Sequence, residues 1–128
     1  MPLNSRSQSG PNRAAVGRAG EEAAARHLAD LGYTVIERNW RCRSGEIDLI
    51  AHDGATIVFI EVRSRSNPTR FGTAVEAVNA RKCRQVREVA AYYLRQQAGF
   101  ERSVRFDVIA VTFLQDGISE IKHLPGAF

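Results

Sequence analysis

The sequence predicts an α/β domain built on a single mixed β-sheet flanked by helices, in the order α-β-β-β-α-β-β. Three observations predict it. Two long stretches, 14–31 and 79–97, carry apolar residues at helical spacing, and each is followed by a glycine, Gly32 or Gly99. Two neighbouring stretches, 45–50 and 57–63, alternate charged and apolar residues around Asp53-Gly54, the strongest short-range signal of a hairpin. The second helical stretch also separates the third strand from the fourth, which permits a crossover to parallel pairing.

The elements follow in order. Residues 1–12 are rich in Ser, Pro, Asn and Gly and have no hydrophobic period, so they are expected to form a disordered tail, with one domain over 13–128. The first helix buries Val16, Gly20, Ala24, His27, Leu28 and Leu31, and His27 on that stripe reads as a core histidine rather than a ligand. Residues 33–40 form a strand leading into the hairpin. Residues 64–72 are a loop, and Thr73-Ala74-Val75-Glu76 can open a short helical turn as a capping box. Asn79 caps the second helix, with Cys83, Val86, Ala90, Tyr93 and Leu94 inward and Arg81, Lys82, Arg84, Arg87 and Arg95 largely outside the stripe. Two strands, 103–114 and 118–124, complete the chain around a turn at Gln115-Asp116-Gly117. Asp107, in mid-strand, reads as structural and partnered by an arginine.

The hairpin carries the chemistry. With the turn symmetric about Asp53 and Gly54, Ala55 faces His52 and Glu61 faces Glu46. Side chains alternate along a strand, so Glu46, Asp48, Glu61 and Arg63 then share one face, which continues as apolar Ile50, Ile57 and Phe59. Ile47, Leu49, Val58, Ile60 and Val62 point the other way. Opposed carboxylates repel unless a cation neutralises them, and hard divalent metals such as magnesium take oxygen ligands. Asp48, Glu61 and Glu46 are therefore candidate metal ligands for Mg²⁺ or Mn²⁺. Asp48, Glu61 and Arg63 also form Asp-x(12)-Glu-x-Arg, close to the acid, acid-x-lysine pattern of metal-dependent nucleases.

Composition bounds the class. At 128 residues there is room for one domain burying roughly two thirds of its unfolded surface. No apolar run approaches the ~20 residues that span a bilayer and the N-terminus lacks a secretory apolar core, so no membrane association and a cytoplasmic location are expected. Cys42 and Cys83 are far apart and lack metal-ligand spacing, as do His27, His52 and His123; two reduced thiols and no zinc follow. The net charge of +4 comes almost entirely from arginine, whose fork suits phosphate. Arg38, Arg41 and Arg43 precede the acidic strand while Arg63, Arg65 and Arg70 follow the second, so positive charge brackets the acids. Arg41, Arg43, Arg65 and Arg70 are the candidate nucleic-acid contacts.

Gly20-Glu21, Gly32-Tyr33, Asn39-Trp40-Arg41, Gly45-Glu46-Ile47-Asp48-Leu49-Ile50, Phe59-Ile60-Glu61-Val62-Arg63-Ser64-Arg65, Phe71-Gly72 and Arg105-Phe106-Asp107 resemble the YraN-like bacterial proteins, from about residue 13 to 123. The resemblance implies the PD-(D/E)XK, restriction-endonuclease-like fold, near archaeal Holliday-junction resolvases. It implies a metal-dependent endonuclease acting on nucleic acid, DNA and branched DNA first, with a homodimer by analogy. It matches Glu21 to an acid that related resolvases bring from the first helix. It also places Arg63 where the usual motif lysine orients the attacking water. Arginine stays protonated and cannot act as a base, though it can stabilise developing charge. Lys82, at the start of the second helix, is a further candidate for contacting phosphate or water. Two other readings remain open: a nucleic-acid-binding module with little or no catalysis, and a structural or protein-docking domain.

Overall fold

The computed structural model describes residues 13–66, 79–97, 103–115, 117 and 119–128. The expected N-terminal tail, Arg70, the Phe71-Gly72 pair, the 73–76 helical turn and the Gly99 cap lie outside them. The order is α1 (Arg13–Asp30), β1 (Thr34–Cys42), β2 (Gly45–Asp53), β3 (Thr56–Arg65), α2 (Ala80–Arg95), β4 (Ser103–Phe113) and β5 (Ser119–Leu124). One five-stranded sheet runs β1-β2-β3-β4-β5. Its pairs are antiparallel except β3 with β4, which α2 crosses over to make parallel. The mixed sheet and element order are those the sequence predicts.

Two apolar layers hold the helices to opposite faces. Ala24, Ala25 and Leu28 of α1 pack on Leu49, Ala51, Val58, Ile60, Ile109 and Val111. Val86, Val89, Ala90 and Tyr93 of α2 pack on Ile47, Ile50, Ile57 and Phe59. Each large side chain fully buried there contributes on the order of 1.5–3 kcal/mol. Val89 belongs to the inward stripe although sequence periodicity passed it over, and Cys83 and Leu94 are only half-buried. Cys42 and Cys83 are free thiols.

Local chemistry ends the helices where expected. Gly32, at φ +91°, lets the Tyr33 amide donate to the Leu28 carbonyl (2.9 Å) and the Gly32 amide to Ala29 (3.0 Å), closing α1. Leu31, expected on the buried stripe, is 53% exposed, because the helix stops at Asp30 and Leu31 no longer follows its period. Asn79 caps α2, its side chain accepting from the Lys82 amide (2.9 Å).

The hairpin register differs from the expected one. Asp53 pairs with Thr56 and His52 with Ile57, so Gly54 and Ala55 are the central turn residues. Gly54 takes φ +59° while Ala55 keeps a negative φ, the requirement of a turn with glycine in its first central position. Asp53 is thereby the last strand residue. The two-residue offset preserves alternation, but Glu61 is not paired with Glu46 as expected, because the ladder ends one step before it, at Leu49–Ile60. Ile47 is a second correction: it joins Ile50 and Phe59 under α2 instead of Leu49 under α1. The β2–β3 ladder stops at Leu49–Ile60, and the strand changes face just beyond that point.

Candidate metal and nucleic-acid site

Asp48 sits where that ladder stops. Its Oδ2 accepts a hydrogen bond from the Val62 amide at 2.8 Å, so the side chain takes over the next strand's donor. Glu61, one residue earlier on β3, is 4% exposed, and its carboxylate charge acts on Asp48. Burial pushes the Asp48 carboxyl up to about 7, and the charges of Glu61, Glu21 and Glu46 push it the same way against the Val62 amide. Burial also raises Glu61, opposed by the charges of Lys82 and Arg63. Four carboxylates from α1, β2 and β3 thus bear on one point.

Two cations meet them from the other side. Lys82 Nζ lies 3.5 Å from Glu61 Oε2, and Arg63 Nε lies 3.9 Å from the same oxygen. Lys82 arrives there because the Asn79 cap starts α2 over the end of β3. Arg63 arrives by strand alternation, two residues beyond Glu61.

The other predicted residues among those described are held as follows. Glu46 is held by Arg41, with Nε to Oε1 at 2.9 Å. Glu21 accepts from Asn39 Nδ2 at 3.1 Å. Arg41 and Arg43 are exposed at the β1–β2 turn, and Arg65 is half-buried at the end of β3. Asn39 is the residue that sequence reasoning missed. It lies within β1, between the residues paired with Ile47 and Leu49, and takes φ +50°, a conformation uncommon outside glycine and tolerated by asparagine. That backbone brings its amide to the acid of α1. The signal available in sequence was an asparagine inside an otherwise β-forming run.

The β1–β2 turn is docked on α2. Ser44 donates to Glu88 (3.0 Å), and Gln85 Nε2 donates to the Ser44 carbonyl (3.2 Å). Gly45, at φ +142°, leaves room for Gln85, whose amide nitrogen would lie 2.7 Å from a Cβ at that position. An open cavity of about 610 Å³ lies alongside, lined by Arg63, Asn79, Arg81, Lys82, Gln85 and Glu88 among others.

The donor set suits a hard cation. Among the described residues no group of three or more His, Cys, Asp and Glu side chains is placed to hold a metal ion. Magnesium does not need such a group: it is commonly held by one or two carboxylates, several waters and substrate phosphate oxygens. Asp48, half-buried, and Glu61, buried, are the carboxylates that would supply such a pair. On the neighbouring strand, opposite Ile60, Asp107 is structural and arginine-paired, as expected: fully buried, it accepts from Arg105 Nε (2.9 Å), His123 Nε2 (2.8 Å) and the Gly126 amide (3.0 Å). His27 Nε2 meets His123 Nδ1 at 3.3 Å in the same network. No helix among the described residues is long and apolar enough to cross a membrane.

Residues 20–111 match the model of the family described as uncharacterised protein family UPF0102. A UPF0102 protein of Frankia alni is 51% identical over 114 residues, covering 89% of this chain and 94% of that protein. One from Moorella thermoacetica is 50% identical, covering 88% and 93%. One from Mycolicibacterium vanbaalenii is 44% identical, covering 90% and 94%. The match takes in β2, β3 and the start of α2, where the carboxylates and their cations meet, and the chain belongs to the UPF0102, YraN-like family.

Proposed function

We propose that this protein is a Mg²⁺- or Mn²⁺-dependent endonuclease that hydrolyses phosphodiester bonds in DNA, with Asp48 and Glu61 holding the ion. The observation that carries the reading is the carboxylate pair of buried Glu61 and half-buried Asp48, set against Lys82 and Arg63. A bound divalent ion would supply Lewis acidity toward a phosphate oxygen and make a water more acidic. The chain's own residues supply the rest. Lys82 and Arg63 present positive charge where a scissile phosphate would lie, and Glu21 and Glu46, each already engaged, add negative potential that favours a cation. Arg41, Arg43 and Arg65 offer charge to flanking phosphates.

Titrating MgCl₂ or MnCl₂ while following Tm tests the metal. The native chain should gain stability by mass action, and Asp48→Asn with Glu61→Gln should abolish the gain. An unchanged response in the double variant sinks the assignment. Cleavage tests the enzyme. Arg63→Lys should raise single-turnover, magnesium-dependent cleavage about tenfold, about 1.4 kcal/mol of barrier, and adding Asp48→Ala should remove it. If the native chain cleaves well and Arg63→Lys changes nothing, Lys82 is the ammonium that serves, and Lys82→Ala should eliminate cleavage.

A nucleic-acid-binding module with weak catalysis is the second reading, favoured by one observation: Arg63, a permanently charged guanidinium, stands two residues after the buried acid. Cleavage undetectable on junction, flap and single-stranded DNA for the native and Arg63→Lys chains alike selects it. A homodimer remains an expectation by analogy alone.

A further inference from the structure

The exposed stripe of α2 leads away from the carboxylate centre and ends on an aromatic. Arg81, Gln85, Glu88, Tyr92 and Arg95 recur at three- and four-residue intervals, so they form one row along the helix. The cavity beside Glu61 is lined by the first three of these. The β1–β2 turn walls the row on one side through Ser44, and Trp40 of β1 continues that wall, its ring 6.4 Å from Tyr92. Tyr92 is 42% exposed, one of three large hydrophobic residues so exposed among those described. Arg95 lies over its ring at 5.6 Å. Trp40 is anchored beneath by an edge contact to Tyr93 at 5.0 Å, which fixes the wall in place.

We infer that this row is the track of an unpaired stretch of DNA, with a base stacked on Tyr92 beside the Arg95 guanidinium and the sugar-phosphate chain running back along Arg81 toward Lys82. The inference rests on the proposed nuclease reading for the polarity of the track and deepens it by naming the substrate form. Charge supports the occupant: Arg81, Arg84 and Arg95 lie on or beside the row, with Arg63 and Lys82 at its mouth. Glu88 is the acid on the row, and its carboxylate accepts from the Ser44 hydroxyl. The aromatic decides the strand state. A base paired inside a duplex keeps its faces covered by its neighbours, whereas an unpaired base can lie flat on a ring. From Lys82 to Tyr92 the helix rises ~15 Å, the reach of a few nucleotides.

The test uses the full chain at low salt without divalent metal, a fluorescein-labelled oligothymidine, and a blunt duplex of equal length. Trp40 is the single tryptophan, so its emission should change when oligothymidine binds. Tyr92→Ala should weaken oligothymidine binding about tenfold and leave duplex binding within about twofold, while Tyr92→Phe keeps both. Equal losses on the two ligands, an unchanged oligothymidine affinity in Tyr92→Ala, or no oligothymidine binding by the native chain overturns the track. Tyr92 is a surface residue, and an unaltered thermal melt checks that its variants fold. The metal assignment stands or falls separately on the metal-induced Tm shift, which Tyr92→Ala should retain, and the nuclease reading on magnesium-dependent cleavage.

Discussion

Asp107 illustrates how a single buried charge is kept. Burial pushes its carboxyl up, but the hydrogen bonds from Arg105, His123 and the Gly126 amide together outweigh burial and hold it below the usual carboxylate range. A depressed folded value means stability that is present above the unfolded carboxylate pKa and lost as pH falls through the folded one, so the window opens below about pH 4. His27 acts in the same sense at higher pH. Burial, then the neighbouring His123, lowers its pKa, so protonation is resisted in the folded state and stability declines as pH drops below about 6.5. Protonation of the raised Asp48 and Glu61 carboxyls adds stability over the same range, so the His27 contribution is read as a difference: the Tm of the native chain should fall relative to that of His27→Gln below about pH 6.5. Asp107→Asn should cost about 3 kcal/mol at pH 7, because Arg105 loses its fully buried partner. That deficit should shrink toward pH 3, and a pH-independent deficit would contradict the electrostatic account.

At the scale of elements, α1 is seated on the sheet by the smallness of one residue. A Cβ at Gly20 would fall on the Ser64 side chain, its Cβ 2.7 Å away. Gly20→Ala gains about 1 kcal/mol of helix propensity, yet must push α1 off β3 and should be destabilising overall by about 1–2 kcal/mol in urea melts. Ser64→Gly should restore most of the loss; additive losses would mean that the two positions do not touch. The helix carries Glu21 next to Gly20, so the same displacement loosens the Asn39–Glu21 contact. Elements of this kind differ in how far sequence discloses them. The end of α1 and the start of α2 were legible because Gly32 and Asn79 act through bonds within a few residues. The hairpin was legible as a hairpin but not in register, since either Asp53-Gly54 or Gly54-Ala55 makes a two-residue turn and only the backbone angles choose. That Asp48 and Glu61 come near one another was expected from alternation, which an even offset leaves untouched. The meeting of Lys82 with Glu61 and the left-handed Asn39 depend on how α2 and α1 lie across the sheet, which strand periodicity does not encode.

Across the whole molecule, +4 of net charge is spent unevenly, and the β1–β2 turn separates two uses of arginine. Arg41 and Arg43 are both exposed and two residues apart. Arg41 holds Glu46, while Arg43 lies beside Ser44, whose backbone is fixed to Gln85. If both contact DNA phosphates, each neutralisation should reduce the log-log salt slope of binding by about one unit. Their effects on the metal should nevertheless diverge. Arg41→Gln frees the Glu46 carboxylate, whose charge already bears on Asp48, so the negative potential at the carboxylate pair rises and Mg²⁺ or Mn²⁺ should bind more tightly. Arg43→Gln leaves Glu46 paired and should leave metal affinity unchanged. Measuring both quantities on both variants separates the roles: a smaller salt slope with tighter metal for Arg41→Gln, and a smaller slope alone for Arg43→Gln. A flat salt dependence in the native chain would remove DNA as the ligand. Identical metal affinities in the two variants would mean that Glu46 stands too far from the centre to matter, leaving Asp48 and Glu61 to define it alone.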